Sequence, residues 1–332
     1  MSVRTGSDHS TTGGTYRTFS SHDVERLYRG LFLIRLVEEE VARIYPSDRI
    51  KSPVHLSIGQ EFISVGVCDV LEPHDRVSIT YRGHATYLAK GGDLKKMVAE
   101  MYGKKAGCAQ GRGGSMHLVD LSVGVIGASA VVGTSIPVAA GFALAAKRQN
   151  TGAVVACFLG DGASEEGCFY ETLNFAALHK LPILFVCENN GYAIHEPLSK
   201  RWATDRLAER VATFGIPAEK LTDGDVFTVR NAAKGAVEAM RAGGGPAFLE
   251  VACYRWQEHV GPNQDYDQGY RPAAELAPWV AADQVTRLAG MLDPSVVERI
   301  NADIRNAVTQ AFAFAEETPF PDPEDLYDHV YA

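Results

Sequence analysis

The sequence lacks CxxC pairs, an excess of positive charge and long hydrophobic runs. Three of its six cysteines lie in or beside apolar segments, so buried free thiols in a reducing compartment are expected. The formal net charge of -9 argues against binding to nucleic acid, which requires a basic surface. No apolar run approaches the roughly 20 residues that cross a bilayer, so no membrane segment is expected.

The N-terminal segment also lacks the apolar centre of a secretory signal. Without such a signal, a cytoplasmic location is expected. The segment is rich in Ser, Thr and Gly, which predicts a disordered polar tail over residues 1–19. The remaining length is enough for a large core. We expect a single α/β domain over residues 20–332 that ends in a helical extension.

The middle of the chain has the pattern of a parallel α/β fold. VVACFL (154–159) and PILFVCE (182–188) are apolar runs of strand length, with a helix predicted between them over 164–179. A helix over 226–241 and the strand AFLEVACY (247–254) repeat this order. Together they predict a doubly wound, mostly parallel sheet flanked by helices.

Other helices are predicted on both sides of this region. SSHD at 20–23 is a capping-box pattern, and apolar residues at helical spacing follow it, which predicts a helix over 21–45. Helices are also expected over 137–149 and near 295–317. Residues 111–133 are crowded with Gly and Ser, which indicates backbone that lies closely against another group. Three cations flank this stretch and would either steer a phosphate or face solvent: Lys104, Lys105 and Arg112.

Polar turns follow both central strands. GDG (160–162) closes the first strand and NNG (189–191) follows the second. Since carboxyl ends of neighbouring parallel strands meet at one edge of a sheet, Asp161 and Asn190 are expected in the same crevice. Either turn alone is an ordinary loop sequence. Together they predict a Mg2+ site completed by water and phosphate oxygens, and hence an organic diphosphate ligand.

GDG and NN at this spacing resemble the signature of thiamine-diphosphate enzymes. The resemblance covers nearly the whole chain from about residue 25 and is closest to the alpha subunit of the first component of 2-oxo acid dehydrogenase complexes of the pyruvate or acetoin type. The matching stretches are HLSIGQE (55–61), YRGHATYLAKG (81–91), GCAQGRGGSMH (107–117), VVGTSIPVAAGFALAAK (131–147) and GDGASEEGCFYETLNFAALHKLPILFVCENNGYAI (160–194).

This resemblance implies the cofactors thiamine diphosphate and Mg2+ and a set of site residues. The metal ligands would be the side chains of Asp161 and Asn190 and the carbonyl of Tyr192. Catalytic roles in proton transfer or orientation would fall to His259, His84 and His55. The cofactor would be bound by Tyr81, Arg82, Ala130, Val132, Asp161, Gly162, Ala163, Asn190, Tyr192 and His259.

The implied activity requires a second polypeptide. The family cleaves a small 2-oxo acid or acetoin-like donor and passes the acyl unit to lipoamide. One α/β domain takes up nearly all of this chain, so the catalytic glutamate would come from a beta subunit in an α2β2 heterotetramer. A lipoyl acyltransferase would be a further partner if lipoamide is the acceptor.

Two departures from the family pattern leave the acceptor open. In the loop 254–271, Glu258 and Val260 replace Gly and Ser, and His195 replaces a small residue after the metal loop. One alternative is a split thiamine-diphosphate enzyme that performs ketol or acyl transfer to a non-lipoyl acceptor. The other is a catalytically silent alpha-like binding subunit.

Overall fold

The computed structural model describes residues 19–328. The predicted polar tail spans residues 1–19, and all of it except residue 19 lies outside the described range. Within residues 19–328, none of the helices combines the length and apolar content that a bilayer crossing requires. The expected cytoplasmic location stays a prediction.

A six-stranded sheet lies at the centre of the structure, and every neighbouring pair of its strands is parallel. The strands along the chain are β1 (Arg76–Thr80), β2 (Val125–Ser129), β3 (Val155–Gly160), β4 (Ile183–Asn189), β5 (Tyr192–Ala193), β6 (Glu196–Pro197), β7 (Ala218–Leu221) and β8 (Ala247–Ala252). The strand order in the sheet is β2-β1-β3-β4-β8-β7, and β5 and β6 form a separate antiparallel hairpin. This arrangement confirms the predicted doubly wound α/β fold.

Helices cover both faces of the sheet. They are α1 (Ser21–Ile44), α2 (Glu61–Cys68), α3 (His84–Ala89), α4 (Leu94–Met101), α5 (Ser135–Arg148), α6 (Gly167–His179), α7 (Leu198–Arg201), α8 (Leu207–Ala212), α9 (Val226–Arg241), α10 (Ala277–Ala281), α11 (Gln284–Ala289) and α12 (Pro294–Glu317). The predicted capping box of α1 is present, because the Ser20 side chain accepts from the Asp23 amide and Asp23 accepts from the Ser20 amide.

Side chains of the central strands alternate between two buried clusters. Val155, Cys157 and Leu159 of β3 face α5, α6 and α8, whereas Ala156 and Phe158 face the layer that contains α1, α2, α9 and α12. Because successive residues of a strand point to opposite faces, both faces of β3 must be apolar. This burial on both sides explains why VVACFL is a continuous apolar run.

The boundaries of several predicted elements shift in the structure. The helix after β3 begins at Gly167 and not at 164, because Asp161–Glu165 form a 3-10 turn in which the Ser164 hydroxyl donates to the Asp161 carbonyl. The helix predicted over 137–149 begins at Ser135, which places Pro137 in its first turn, where a missing amide is tolerated. The strand predicted over 247–254 ends at Ala252.

Three strands of the six-stranded sheet were not predicted from the sequence, and neither was the short β5–β6 hairpin. β1 is short and alternates polar and apolar residues, β2 lies within the Gly- and Ser-rich stretch, and β7 is a short edge strand of sequence AEKL. None of them is a continuous apolar run, and two of them, β2 and β7, occupy the two edges of the sheet. Edge strands are often short and polar.

The Gly-rich stretch lies against the carboxylate of Glu100, a fully buried residue of α4. A Cβ at Gly107 would collide with this carboxylate. The two carboxylate oxygens accept four backbone N–H bonds of 2.7–3.1 Å from Ala109, Gly111, Gly113 and Gly114. The group against which the Gly-rich backbone lies is therefore the buried carboxylate of Glu100.

The cations beside this stretch bind the C-terminal segment. Lys105 forms ion pairs with Asp322 and Asp325, at 2.9 and 2.7 Å. Arg112 donates to the carbonyls of Asp325 and Asp328, and Lys104 lies over the ring of Phe320. Lys105 and Arg112 are exposed, as the solvent-facing alternative predicts, whereas Lys104 is buried. A role in steering a phosphate stays a prediction.

The Glu100→Gln substitution should destabilise the protein by about 3 kcal/mol or more. The amide nitrogen of glutamine would face two backbone donors, and each unmade buried bond costs roughly 1–3 kcal/mol. Urea unfolding measures the change, with the exposed Glu298→Gln of α12 as the matched control. Equal stabilities of the two variants would contradict this role of Glu100.

Candidate functional site

A cleft of about 220 Å³ opens at the carboxyl ends of β1, β3 and β4. Its walls come from residues that follow these strands and from the loop before α5, as the topology of a parallel sheet requires. The residues lining it are Gln60, Thr80, Tyr81, Arg82, Ser129, Val131, Val132, Gly133, Ser135, Leu159, Gly160, Asp161, Gly162, Ala163, Glu166, Glu188, Asn190, Tyr192, Ala193, Ile194 and His259. Most of the residues proposed from the sequence are among them.

The predicted metal ligands lie together in this cleft. β3 and β4 pair in parallel up to Gly160 and Glu188, so Asp161 and Asn190 leave the sheet at the same edge. The side-chain oxygen of Asn190 accepts from the Tyr192 amide at 3.1 Å, and its nitrogen donates to Gln60 at 3.0 Å. These contacts fix the orientation of the Asn190 amide within the cleft.

The donor set at this point suits a hard cation. Within residues 19–328 no group of three or more His, Cys, Asp and Glu side chains converges in a way that could hold a metal. A closed zinc-type site is therefore not formed by these residues. A carboxylate, an amide oxygen and a backbone carbonyl fit Mg2+, which keeps water and phosphate oxygens among its ligands.

The Asp161 carboxylate already has a cationic partner within the chain. Arg201, the last residue of α7, donates to Asp161 and also pairs with Glu165. Asp161 is 1% exposed, and burial raises the pKa of its carboxyl while the charge of Arg201 opposes that rise. The sequence did not predict a role for Arg201, because it lies 40 residues from Asp161 and no motif marks it.

Arg82 is a buried cation without an acidic partner. Its guanidinium donates to the carbonyls of Leu56 and His259, at 2.6 and 3.2 Å. Among the described residues, no carboxylate forms an ion pair with it, and burial lowers its pKa. A guanidinium withdrawn from water is costly unless an anion compensates it, so this wall of the cleft fits a diphosphate.

Two predicted catalytic histidines and a tyrosine form an aromatic group beside Arg82. The ring centroid of His55 lies 4.4 Å from that of Tyr81 and 5.0 Å from that of His259. Burial, followed by the charge of Arg82, lowers the pKa of His55 to about 2 and that of His259 to about 3. Both imidazoles are therefore neutral at neutral pH, and the buried Nδ1 of His55 has no hydrogen-bond partner within the described part of the chain.

Three predicted residues do not line the cleft, and one of them is His55, which lies behind Tyr81 and His259. His84 is fully buried, and its ring nitrogens bond to Glu38 at 3.1 Å and to Ser115 at 2.7 Å. Ala130 is not part of the lining, although Ser129 and Val131 on either side of it are. His84 therefore lies beneath the cleft, and its partner Glu38 also accepts a hydrogen bond from the Ser57 amide.

Glu188 lines the cleft and was not expected from the sequence. It is the sixth residue of β4 and only 6% exposed. Burial raises the pKa of its carboxyl to about 8, against the opposing charge of Arg82. Glu188 is the last residue of the apolar run PILFVCE, so the sequence predicted only that it ends a buried strand.

The loop that departs from the family pattern forms one side of the cleft mouth. Its core is a buried cluster in which Asp265 binds both Arg255 and Arg271, at 3.1 and 2.5 Å, and also Tyr270. Across the mouth, the ring of the exposed His195 lies 4.7 Å from that of Tyr270. The departures therefore concern the residues at the opening and leave this cluster intact.

Comparisons with known proteins agree with this geometry. Residues 29–324 match the family model described as "Dehydrogenase E1 component". The chain is 36% identical over 307 residues to the alpha subunit of acetoin:2,6-dichlorophenolindophenol oxidoreductase of Bacillus subtilis, which covers 92% of each chain. It is 38% identical over 312 residues to the corresponding subunit of Cupriavidus necator, with 92% of this chain and 93% of the relative covered.

A pyruvate-specific relative is similarly close. The alpha subunit of the pyruvate dehydrogenase E1 component of Zymomonas mobilis is 38% identical over 314 residues, which covers 91% of this chain and 87% of the relative. The similarity thus extends across the cleft and both helical layers in relatives that are named for either donor.

The low pKa of His55 predicts a measurable dependence of stability on pH. The unfolded chain protonates this residue near its ordinary pKa of 6.5, whereas the folded protein does so only near 2. Its neutral form therefore stabilises the fold above pH 6.5, and that contribution is lost as the pH falls. Between roughly pH 7 and pH 5 the loss through this one residue should be about 2 kcal/mol.

The His55→Gln substitution should remove this contribution. Urea unfolding at the two pH values gives the free energy of unfolding, and the variant should lose about 2 kcal/mol less than the unsubstituted protein. The exposed His22→Gln serves as the control. The assignment fails if His55→Gln and the unsubstituted protein show the same pH slope.

Proposed function

The chain belongs to the dehydrogenase E1 component family, and from this premise we propose that it is the alpha subunit of a thiamine-diphosphate-dependent dehydrogenase for pyruvate or acetoin. The observation that carries the proposal is a single cleft that joins the uncompensated guanidinium of Arg82 to the oxygen donors of Asp161 and Asn190. An anionic diphosphate together with a hard cation satisfies both walls at once.

The residues of the cleft divide into cofactor-binding and donor-orienting groups. Asp161, the Asn190 side chain and the Tyr192 carbonyl would hold Mg2+, and Arg82 would pair with the diphosphate. When bound, thiamine diphosphate supplies a thiazolium ring that accepts the electrons released when a bond to the donor carbonyl breaks. His259, whose ring stands near Arg82, is neutral, and it would hydrogen-bond to the donor and orient it in the cleft.

Backbone and aliphatic groups would hold the other end of the cofactor. Val132 lines the cleft, and the carbonyl and amide groups around Ala130 and Val132 would bind the aminopyrimidine ring. Gly162 and Ala163 would lie along the diphosphate at the start of the 3-10 turn. The amides that face the phosphate would then be those at the start of the 3-10 turn, and α6 would contribute none of them.

An exposed apolar surface supports the need for a beta subunit. The α5–α6 face consists of Val138 and Phe142 of α5 and Phe175 and Leu178 of α6, whose exposed fractions range from 39% to 73%. Val131 and Val132 at the cleft mouth lead directly into α5. Contiguous apolar surface of this kind marks a protein interface. We propose that the beta subunit covers it in an α2β2 assembly and brings the catalytic glutamate to the cofactor.

The acceptor is proposed to be lipoamide, carried by a lipoyl acyltransferase. The names of the relatives denote dehydrogenases of acetoin and pyruvate, which favours this proposal over the carboligating alternative. Turnover of the assembled heteromer with pyruvate or acetoin, measured with lipoamide and in parallel with aldehyde acceptors, tests it. Faster transfer to aldehydes than to lipoamide would reverse the assignment.

The Asp161→Ala substitution should weaken Mg2+-dependent binding of thiamine diphosphate at least about 100-fold. The change removes the only charged metal ligand, and even outer-shell partners of bound metals affect affinity by roughly 10–100-fold. Calorimetry of the assembled heteromer with thiamine diphosphate and MgCl2 measures it. The exposed Asp303→Ala of α12 should bind like the unsubstituted protein. Unchanged affinity in Asp161→Ala would refute the proposed metal site.

The Leu178→Asp substitution should weaken assembly with the beta subunit by about 30-fold or more. A charge placed at the centre of an apolar interface costs at least about 2 kcal/mol. Sedimentation velocity over a range of protein concentrations measures the dissociation constant. Leu121 is 60% exposed but lies outside the α5–α6 face, so Leu121→Asp is the control. Similar assembly of both variants would place the interface elsewhere.

A further inference from the structure

Arg201 occupies the position next to Asp161 that a bound metal would need. Its guanidinium donates to one oxygen of the Asp161 carboxylate and also pairs with Glu165. The Arg201 side chain is 7% exposed and that of Asp161 is 2% exposed, so the pair is withdrawn from solvent. An ion pair in this environment is screened little, and separating it leaves two buried charges unless another cation replaces the guanidinium.

We propose that Arg201 is an internal counter-ion of Asp161, which Mg2+ displaces when the cofactor binds. The inference rests on the proposed function, because it takes Asp161 as a metal ligand. Arg201 contacts Oδ2 of Asp161, and a second cation on either oxygen of this buried carboxylate would lie close enough to the guanidinium for strong repulsion. Metal binding therefore competes with the Arg201 contact, and the competition sets the apparent affinity of the site for Mg2+.

Displacement of Arg201 is coupled to the hairpin at the cleft mouth. The Arg201 Nε donates to the Glu196 carbonyl of β6 at 3.0 Å. The hairpin is also joined to α7, because the Leu198 amide donates to the Gly191 carbonyl at 2.8 Å. β5 carries Tyr192, the proposed third metal ligand. A movement of Arg201 away from Asp161 would thus shift the segment that completes the metal site.

The turn of this hairpin is held in a strained conformation. Ile194 has a φ of 55°, in the left-handed region that β-branched residues rarely adopt. Its carbonyl accepts from the Arg255 guanidinium at 3.0 Å, which links the hairpin to the loop 254–271. Local strain of this kind is found where a segment changes conformation during function. It is an observation independent of the ion pair and concerns the same segment.

Trp202 supplies a spectroscopic reporter of the displacement. It follows Arg201 directly, and its indole lies under the guanidinium of Arg210, 3.6 Å from the ring centroid. Its backbone amide donates to the Leu198 carbonyl at the end of α7. If Arg201 leaves Asp161, the surroundings of this indole change, and its fluorescence should change with them.

The test is a titration of the assembled heteromer with MgCl2 at saturating thiamine diphosphate. Calorimetry and tryptophan fluorescence are recorded for the unsubstituted protein, Arg201→Gln and Arg201→Ala. The apparent dissociation constant equals the intrinsic one divided by the fraction of protein in which Asp161 is free. Without the competing guanidinium, both variants should bind Mg2+ about tenfold more tightly, which corresponds to a free fraction of roughly one tenth.

A neighbouring cation provides the matched control. Lys200 is 70% exposed and pairs with Glu196, so Lys200→Gln removes a positive charge from the same helix without touching Asp161. It should leave the Mg2+ affinity unchanged. The Mg2+-induced change in fluorescence should be present in the unsubstituted protein, absent after Trp202→Phe, and already complete before Mg2+ is added to Arg201→Gln.

The outcomes separate this inference from the proposed function. If Asp161→Ala loses Mg2+-dependent cofactor binding but both Arg201 variants bind Mg2+ with unchanged or weaker affinity, the counter-ion role is refuted and the metal site stands. If Asp161→Ala retains binding, the metal assignment itself fails. A fluorescence signal that Mg2+ does not alter in the unsubstituted protein would also overturn the proposed displacement.

Discussion

The parallel pairing of β1, β3 and β4 determines where the charged residues of this protein meet. Each strand ends at the same edge of the sheet, and a charged or amide side chain follows each within two residues: Arg82 after β1, Asp161 after β3 and Asn190 after β4. β3 and β4 are largely apolar on both faces because helices cover both sides. Polar side chains can therefore leave the sheet only at its ends, and the cleft is the consequence of that constraint.

The charges of the cleft are only partly compensated within the chain. Arg82 is bonded to carbonyl groups, Asp161 to Arg201, and Glu188 is a buried carboxyl whose pKa burial raises to about 8. A buried guanidinium bonded only to neutral groups, as that of Arg82 is, is less favourable than one paired with an anionic ligand. The stability of the free protein and its affinity for a charged cofactor are thus linked, since the same side chains contribute to both.

The sequence predicted those parts of the structure that depend on local patterns. The apolar runs that became β3 and β4, the capping box at Ser20 and the paired turns around Asp161 and Asn190 are each contained in a short stretch. The contacts of Glu100 with the Gly-rich loop and of Arg201 with Asp161 join residues that are separate in sequence. A glutamate and an arginine on helices carry no local sign of a buried partner.

The same distinction explains the histidines and the mouth of the cleft. A motif places a histidine near a site, but whether its ring reaches the cleft or bonds beneath it, as His84 does with Glu38 and Ser115, depends on the layers behind the strand.

In the loop 254–271 the altered residue Glu258 closes a turn, with its side chain accepting from the Asn263 amide and its own amide donating to the Asn263 carbonyl, each at 2.9 Å. The departure from the family pattern is therefore compensated inside the loop. What it changes is the surface at the opening, where Val260 presents an aliphatic side chain that is 41% exposed. In the proposed function, an acceptor approaching the cofactor would meet this apolar side chain and His195, so we expect the altered residues to affect the choice of acceptor more than the binding of the cofactor.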